Sequence, residues 1–321
     1  MAGKRVLLTG GAGFIGSHLV RAFLDRGDEV VAVDNLVTGR KENLPSEGRF
    51  TFVEADVSEG IPVDGRFDAV LHFACPASPV DFERIPIEIL RVDSLGTFHA
   101  LDRAKADGAR FLLASTSEVY GDPHVHPQPE TYWGNVNPTG VRSVYDEAKR
   151  FSEATAFAYK RHHGVDVGVV RIFNAYGPNM RADDGRAVPT FITQALRGEP
   201  LTVTGDGSQT RSLCYIDDLV RGILLLLDSG EAGPMNLGTC YEITMTELAE
   251  TIARLVGGPS RVEYIARPAD DPRQRRPDLS LIRDRLGYEP LITLEQGLQA
   301  TIDFFRSDIS AISRAARASL L

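Results

Sequence analysis

The sequence predicts an α/β protein: a doubly wound parallel sheet followed by a smaller mixed α/β lobe. Three observations lead there. A glycine-rich turn, Gly10-Gly-Ala-Gly13-Phe14-Ile15-Gly16, joins an apolar run to a helical one. Short β-branched runs then alternate with helical periodicity as far as Phe173, the pattern of parallel strands joined by crossover helices. After Tyr176-Gly-Pro178 the alternation gives way to short strands, turns and helices.

Residues 5–9 form the first expected strand, 17–27 a helix that stops at Gly27, and 29–33 a second strand ending at Asp34. The glycines permit a tight turn and let a pyrophosphate approach the helix N-terminus, where free N–H groups and the dipole favour an anion. Asp34 stands 18 residues after Gly16, where an acid accepts a ribose 2′-hydroxyl and repels a 2′-phosphate. The expected cofactor is therefore NAD rather than NADP. Arg40 and Lys41 could argue for NADP, but they read as loop charges, since a carboxylate at the 2′ position is the more direct constraint. Gly10, Gly13, Phe14, Ile15, Gly16, Asp34, Asn35, Thr38 and Gly39 are the expected contacts in this first unit.

The strand at 50–53 leads to Asp56, which could reach the adenine amine, and Val57. Residues 69–74 read as a buried strand passing under the cofactor, with Leu71, Phe73 and Ala74 as contacts. A single long helix is expected over 86–105, then a strand over 110–114 that opens at Ser115-Thr116-Ser117-Glu118. The helix carrying Tyr145 runs on to His163, and 165–173 is another strand. Thr9, Asp34, Asp56, Ala74, Thr116 and Asn174 all fall at strand C-terminal ends, where such sheets bind ligands.

Tyr145 and Lys149 are i and i+4, so a helix sets them on one face. A phenol has an ordinary pKa of about 10, and a neighbouring ammonium favours its ionised form. With the Thr116 hydroxyl nearby, the three could take a proton from an alcohol. Alone, such a pair is most often a solvated helix face; the dinucleotide unit supplies the context. Arg186, Arg211 and Arg275 stand out in the second lobe, and the turn-rich settings of Arg211 and Arg275 suit a phosphate grip. Ordinary surface charge is the alternative, above all for Arg186.

The net charge of -9 argues against a nucleic-acid partner. Hydrophobic content of 43% and charged content of 25% suit a soluble globular chain. Cys75, Cys214 and Cys240 are odd in number and far apart, as expected of free thiols in a reducing, cytoplasmic setting. The apolar run at 222–227 is too short for a membrane span. His124 and His126 lack a third ligand at a suggestive spacing, so no metal is expected. The stretch after Ser307 reads as a terminal helix.

With these residues on the page, the chain resembles the extended short-chain dehydrogenase/reductase family, whose Rossmann domain serves nucleotide-sugar chemistry. TGGAGFIG, the acid after the second strand and YxxxK carry the likeness. HFACPASPVDFE, LLASTSEVYGDPHVHPQPETYWGNVNP, YDEAKR, RIFNAYGP, GSQTRS and DDPRQRRPD look like the UDP-glucuronate decarboxylases within that family. The resemblance implies a Rossmann domain over 1–175, with 212–239 returning to it, and a nucleotide-sugar lobe over 176–211 and 240–321. It implies that Tyr145, with Lys149 and Thr116, removes the C4 hydroxyl proton while NAD accepts the hydride. The 4-keto acid then loses carbon dioxide and the hydride returns, so NAD should stay bound. Glu118 would lie near C5 and C6 and Arg275 at the decarboxylation site. Asn174 and Arg211 would hold the diphosphate of UDP-glucuronate, with Arg91, Ser117 and Arg186 as further substrate contacts.

Related 4,6-dehydratases carry Thr-Asp-Glu where this chain has Thr116-Ser117-Glu118. A serine cannot expel water as a strong acid, and an aspartate would repel a substrate carboxylate. Three positions depart from the family pattern: Arg91 replaces the usual lysine, Asp93 the usual asparagine and Ala148 the usual glycine. A homodimer is implied through helices near 88–105 and 145–163, with Leu95, Phe98, Leu101, Phe151 and Phe157. The competing readings are a C4 epimerase of the same acid sugar, a 4,6-dehydratase, and a non-catalytic NAD-binding module.

Overall fold

The computed structural model describes residues 3–46, 48–258, 261–267 and 270–318. In chain order the first half comprises β1 (Arg5–Thr9), α1 (Phe14–Asp25), β2 (Glu29–Asp34), β3 (Phe50–Glu54), β4 (Ala69–His72), α2 (Pro79–Arg84), α3 (Pro86–Arg91), α4 (Thr97–Asp107), β5 (Arg110–Thr116), α5 (Ser143–His163) and β6 (Val167–Ile172). There follow β7 (Ala175–Tyr176), α6 (Ala187–Arg197), β8 (Leu201–Thr204), β9 (Thr210–Ser212), β10 (Cys214–Tyr215), α7 (Ile216–Ser229) and β11 (Met235–Leu237). The chain continues through β12 (Glu242–Thr244), α8 (Met245–Val256), β13 (Val262–Ile265), β14 (Gln274–Arg275), α9 (Ser280–Leu286) and α10 (Leu294–Ala318). The expected terminal helix is thus present to Ala318; residues 319–321 lie outside the described residues.

A seven-stranded sheet runs β11-β6-β5-β4-β1-β2-β3, parallel at every pairing. The strand order reverses between β1 and β4, which opens a crevice at their C-terminal ends. Side chains alternate across the sheet with a period of two. Leu8 packs with Leu19, Phe23, Leu219 and Ile223 under α1 and α7, and Leu7 with Leu101, Phe111 and Ala156 under α4 and α5. A third core joins α6, α8 and α10 through Phe191, Ile192, Leu248, Ile252, Leu298 and Phe305. Helix α8 starts with a reciprocal cap in which Thr244 and Glu247 satisfy each other's amides.

The segment expected as one helix over 86–105 is not uniform. Between α3 and α4 the chain widens into one π turn, Val92–Gly96. Such a turn breaks the ordinary hydrogen-bond ladder and often marks a functional position. Val92, Asp93 and Gly96 are buried by it, while Arg91 stays on the solvent side. Among the described residues no helix is long and apolar enough to cross a membrane.

Candidate active site

Two cavities meet at the C-terminal edge of the sheet. The first runs along Gly10, Gly13, Phe14, Ile15 and Gly16, past Thr38 and Phe73, to Thr116, Tyr145 and Lys149. An extension reaches Asp34, Asn35, Asp56, Val57 and Ala74. Helix α1 begins at Gly13 with no side chain capping its first amides, so those N–H groups are available to an anion. A Cβ on Gly16 would lie 2.0 Å from the Gly10 carbonyl oxygen, so only glycine lets turn and helix close together. Asp34 accepts from the amides of Ala12 at 3.0 Å and Leu36 at 2.9 Å. A Cβ on Gly39 would come within 2.7 Å of that carboxylate. Uncapped amides at one end and an anchored carboxylate further along fit the pyrophosphate and ribose of a dinucleotide. Arg40, which could have favoured a 2′-phosphate, is instead held by Asp308 of α10 through two bonds of 3.1 and 3.2 Å.

Two expected contacts fall elsewhere. Leu71 is fully buried in the core beneath α1 and α7, because its position in β4 points away from the cavities. Arg91 was expected at the substrate; it is exposed at the end of α3, and its charge acts on Asp56. The π turn carries the next two residues inward and leaves Arg91 outside.

Helix α5 carries Tyr145 and Lys149 one turn apart, with Nζ 5.7 Å from the centre of the phenol ring. The Tyr145 ring stacks on Phe82 at 5.0 Å. Burial pushes the phenol above its ordinary pKa; Lys149 and a hydrogen bond with Thr116 pull the other way. Lys149 donates to Asp93 Oδ1 at 2.9 Å, and Cys75 Sγ donates to Asp93 Oδ2 at 2.9 Å. Tyrosine, lysine and threonine are therefore assembled on one wall of the dinucleotide cavity, as a proton acceptor for a substrate alcohol requires.

The second cavity, about 440 Å³, is lined by Asn174, Arg186, Arg211 and Arg275, and shares Glu118 with the first. Arg211 and Arg275 come together because β14 pairs with β9 in a register that puts them side by side. Arg275 is 2% exposed. It and Arg142 grip the two oxygens of Glu118, Arg142 at 2.7 Å. Burial alone would raise the Glu118 pKa; the two guanidinium groups outweigh it and hold the carboxyl well below its usual range. Arg211 pairs with Asp271 at 3.1 Å and Arg186 with Asp184 at 2.8 Å. Asn174 Nδ2 is buried without a hydrogen-bond partner, which leaves a donor at the wall common to both cavities.

Sequence reasoning missed Arg142 and Asp146. Arg142 precedes Tyr145 by three residues, and that spacing on one helix face was the available signal. Asp146 is buried with one oxygen unpartnered; burial and the nearby Glu118 push its carboxyl well above the usual range. No sequence signal distinguishes it from any acid on an exposed helix face.

The site can be set beside known proteins. The family model described as "NAD dependent epimerase/dehydratase family" matches residues 6–238. UDP-glucuronic acid decarboxylase 1 of Arabidopsis thaliana is 50% identical over 308 residues, 95% of this chain and 70% of its own length. The protein of that name from Xenopus tropicalis is 47% identical, over 95% of this chain and 73% of its own. The UDP-glucose 4-epimerase of Thermotoga maritima, solved with UDP-glucose, superposes with a TM-score of 0.88 at 31% identity, covering 95% of this chain and 99% of that one. A dTDP-glucose 4,6-dehydratase of Streptomyces venezuelae, solved with NAD bound, gives 0.85 at 32% identity, covering 94% and 97%. Glycine turn, anchored acid, proton-transfer wall and sequence match all agree: the chain belongs to the NAD dependent epimerase/dehydratase family.

Proposed function

We propose that this enzyme decarboxylates UDP-glucuronate to UDP-xylose, oxidising C4 and reducing it again within one catalytic cycle. The observation that carries this is the junction of the two cavities, where Glu118 sits between Arg275 and Arg142 beside Ser117. A pair of guanidinium groups suits a sugar bearing a carboxylate. Ser117 offers no acid to expel a hydroxyl as water. The decarboxylases named above, alike over nearly the whole chain, support the same reading.

NAD, when bound, supplies the acceptor for the C4 hydride and gives it back at the end of the cycle. The chain's own residues do the rest. Tyr145 Oη takes the C4 hydroxyl proton and returns it, with Thr116 sharing the hydrogen bond. Oxidation at C4 makes the C6 carboxylate a β-keto acid. Arg275 and Arg142 hold that end of the sugar and steady Glu118 near C5. Arg186, Arg211 and Asn174 take the diphosphate. On this reading residues 1–175 and 212–239 form the NAD half, and 176–211 and 240–321 the nucleotide-sugar half.

Selectivity for NAD rests on Asp34. Asp34→Ala is expected to weaken NAD binding and to narrow the preference over NADP, as calorimetric titration of both dinucleotides would show. Unchanged discrimination would mean that Asp34 is not the selector.

The enzyme works as a homodimer through the outer faces of α3, α4 and α5. Leu90, Leu95, Phe98 and Phe151 are exposed there, and Phe98 meets Phe151 at 6.0 Å. Leu101, expected on that face, is wholly in the core, and Phe157 packs against it. Light scattering at micromolar concentration should return twice the mass of one chain, and a monomer mass would refute the dimer.

The function is tested by incubating catalytic amounts of protein with UDP-glucuronate, without added NAD, and weighing the nucleotide sugar by mass spectrometry. The expected product is lighter by carbon dioxide. A product of unchanged mass would indicate C4 epimerisation, and no turnover at all a binding module.

A further inference from the structure

The buried contacts of the proton-transfer wall include one that its chemistry does not require. Asp93 is 0% exposed, and its partner Lys149 is 3% exposed. The carboxylate cannot turn away from the ammonium, because its second oxygen is occupied by the Cys75 thiol. Its backbone is fixed as well: its carbonyl accepts from Ser152 Oγ at 2.6 Å and from Thr97 Oγ1 at 2.7 Å.

We propose that Asp93 is a positioning residue that cancels the charge of Lys149 and so confines the base action of Tyr145 to alkaline solution. The inference rests on the reading that Tyr145 is the base. It follows from counting the charged and titratable groups around the phenol. Beyond β4, the half-buried Cys75 donates to Asp93, and its thiol is pushed up by desolvation and by Asp93, so it stays neutral. His72 is lowered to about 3 by burial and by Lys149, so it too is neutral. Asp81 of α2 is paired with Arg181 at 2.9 Å. Arg186, ahead of α6, is paired with Asp184. Arg142, three residues before Tyr145, is paired with Glu118. Lys149 Nζ lies 5.7 Å from the centre of the phenol ring and is the cation that acts most on it, and Asp93 works against that pull. An asparagine in that place would keep the hydrogen bond to Nζ and leave the ammonium uncompensated, which favours the phenolate. The burial of Lys149 would lower its own pKa, but Asp93 more than reverses this and keeps the lysine protonated.

The test reads Tyr145 directly, without substrate, so it stands or fails apart from the decarboxylase reading. Tyrosinate absorbance of the purified holoprotein is recorded from about pH 6 to about pH 11, and the same curve for Tyr145→Phe is subtracted. Asp93→Asn should bring the Tyr145 midpoint down by about 1 unit or more. Lys149→Met should raise it, because a lone carboxylate then faces the phenol. The double variant should return close to wild type. A role of Asp93 in packing alone would lower stability without moving the midpoint. If Asp93→Asn titrates like wild type, or if neither shows a Tyr145 signal in the window, the proposal is overturned. Should Asp93→Asn fail to fold, the double variant decides: a midpoint as high as that of Lys149→Met overturns it, and one near wild type supports it.

Discussion

Tyr145→Phe is expected to abolish oxidation at C4 while the nucleotide sugar still binds. The substitution removes one oxygen and keeps the ring, which remains stacked on Phe82. The proposed binding residues Arg186, Arg211 and Asn174 line the second cavity from other elements and are untouched. A general acid–base group contributes about 10²- to 10⁴-fold, so kcat should fall by that factor or more. Thr116 cannot substitute: an aliphatic hydroxyl is far harder to ionise than a phenol, and it already caps the Glu118 amide at 3.2 Å. Steady-state kinetics and calorimetric titration together check this. A variant retaining kcat within tenfold would show that another group takes the proton, and a large loss of affinity would show that the hydroxyl chiefly binds.

The second large effect is expected at Arg275→Met. This side chain is among the largest fully buried ones in the molecule. It holds Glu118 and donates to the Gly121 carbonyl at 3.2 Å. Removing one partner of a buried ion pair costs up to about 3–5 kcal/mol, and less here because Arg142 still holds Glu118. Glu118 and Asp146 would then face each other with Arg142 as their shared cation. The pH dependence has a definite sign. The Glu118 carboxyl is depressed in the folded state, so its contribution to stability is present above the unfolded value of about 4.3 and disappears as pH falls through the folded one. In the variant that depression shrinks. The stability gap between the two proteins should therefore be wide at neutral pH and narrow in acid. Urea unfolding across that range measures it. A gap that stays constant with pH would mean that lost packing, rather than the ion pair, accounts for the cost. Catalytically, the same variant should lose both affinity for the acid sugar and rate of carbon dioxide release, as the proposed role of Arg275 at the sugar carboxylate requires.

Much of this fold is legible in the sequence. The glycine turn, the acid closing β2 and the alternation through Phe173 are local patterns, and parallel crossover topology follows from them with little freedom. Tyr145 and Lys149 were legible because helical spacing alone places them together. Arg211 and Arg275 were named from their settings, but only the β9–β14 register explains why they meet. What stayed hidden depends on packing over long sequence separations. Residues 86–105 carry good helical periodicity, and no composition signal marks the π turn that buries Asp93. The ion pair of Asp93 with Lys149 spans 56 positions. The pairing of Arg40 with Asp308 spans 268. Arg91 was misplaced for the converse reason: resemblance placed it at the substrate, whereas the turn just after it sets it on the outside.

The most direct test of the central claim follows the fate of the C6 carbon. Protein supplied with NAD is given UDP-glucuronate labelled with carbon-13 at C6, and the reaction is watched by carbon NMR. The label should leave the sugar as carbon dioxide and bicarbonate while a pentose nucleotide accumulates, and Tyr145→Phe should stop both. Label that stays in a hexuronic acid, whether starting material or its C4 epimer, would contradict decarboxylation at this site.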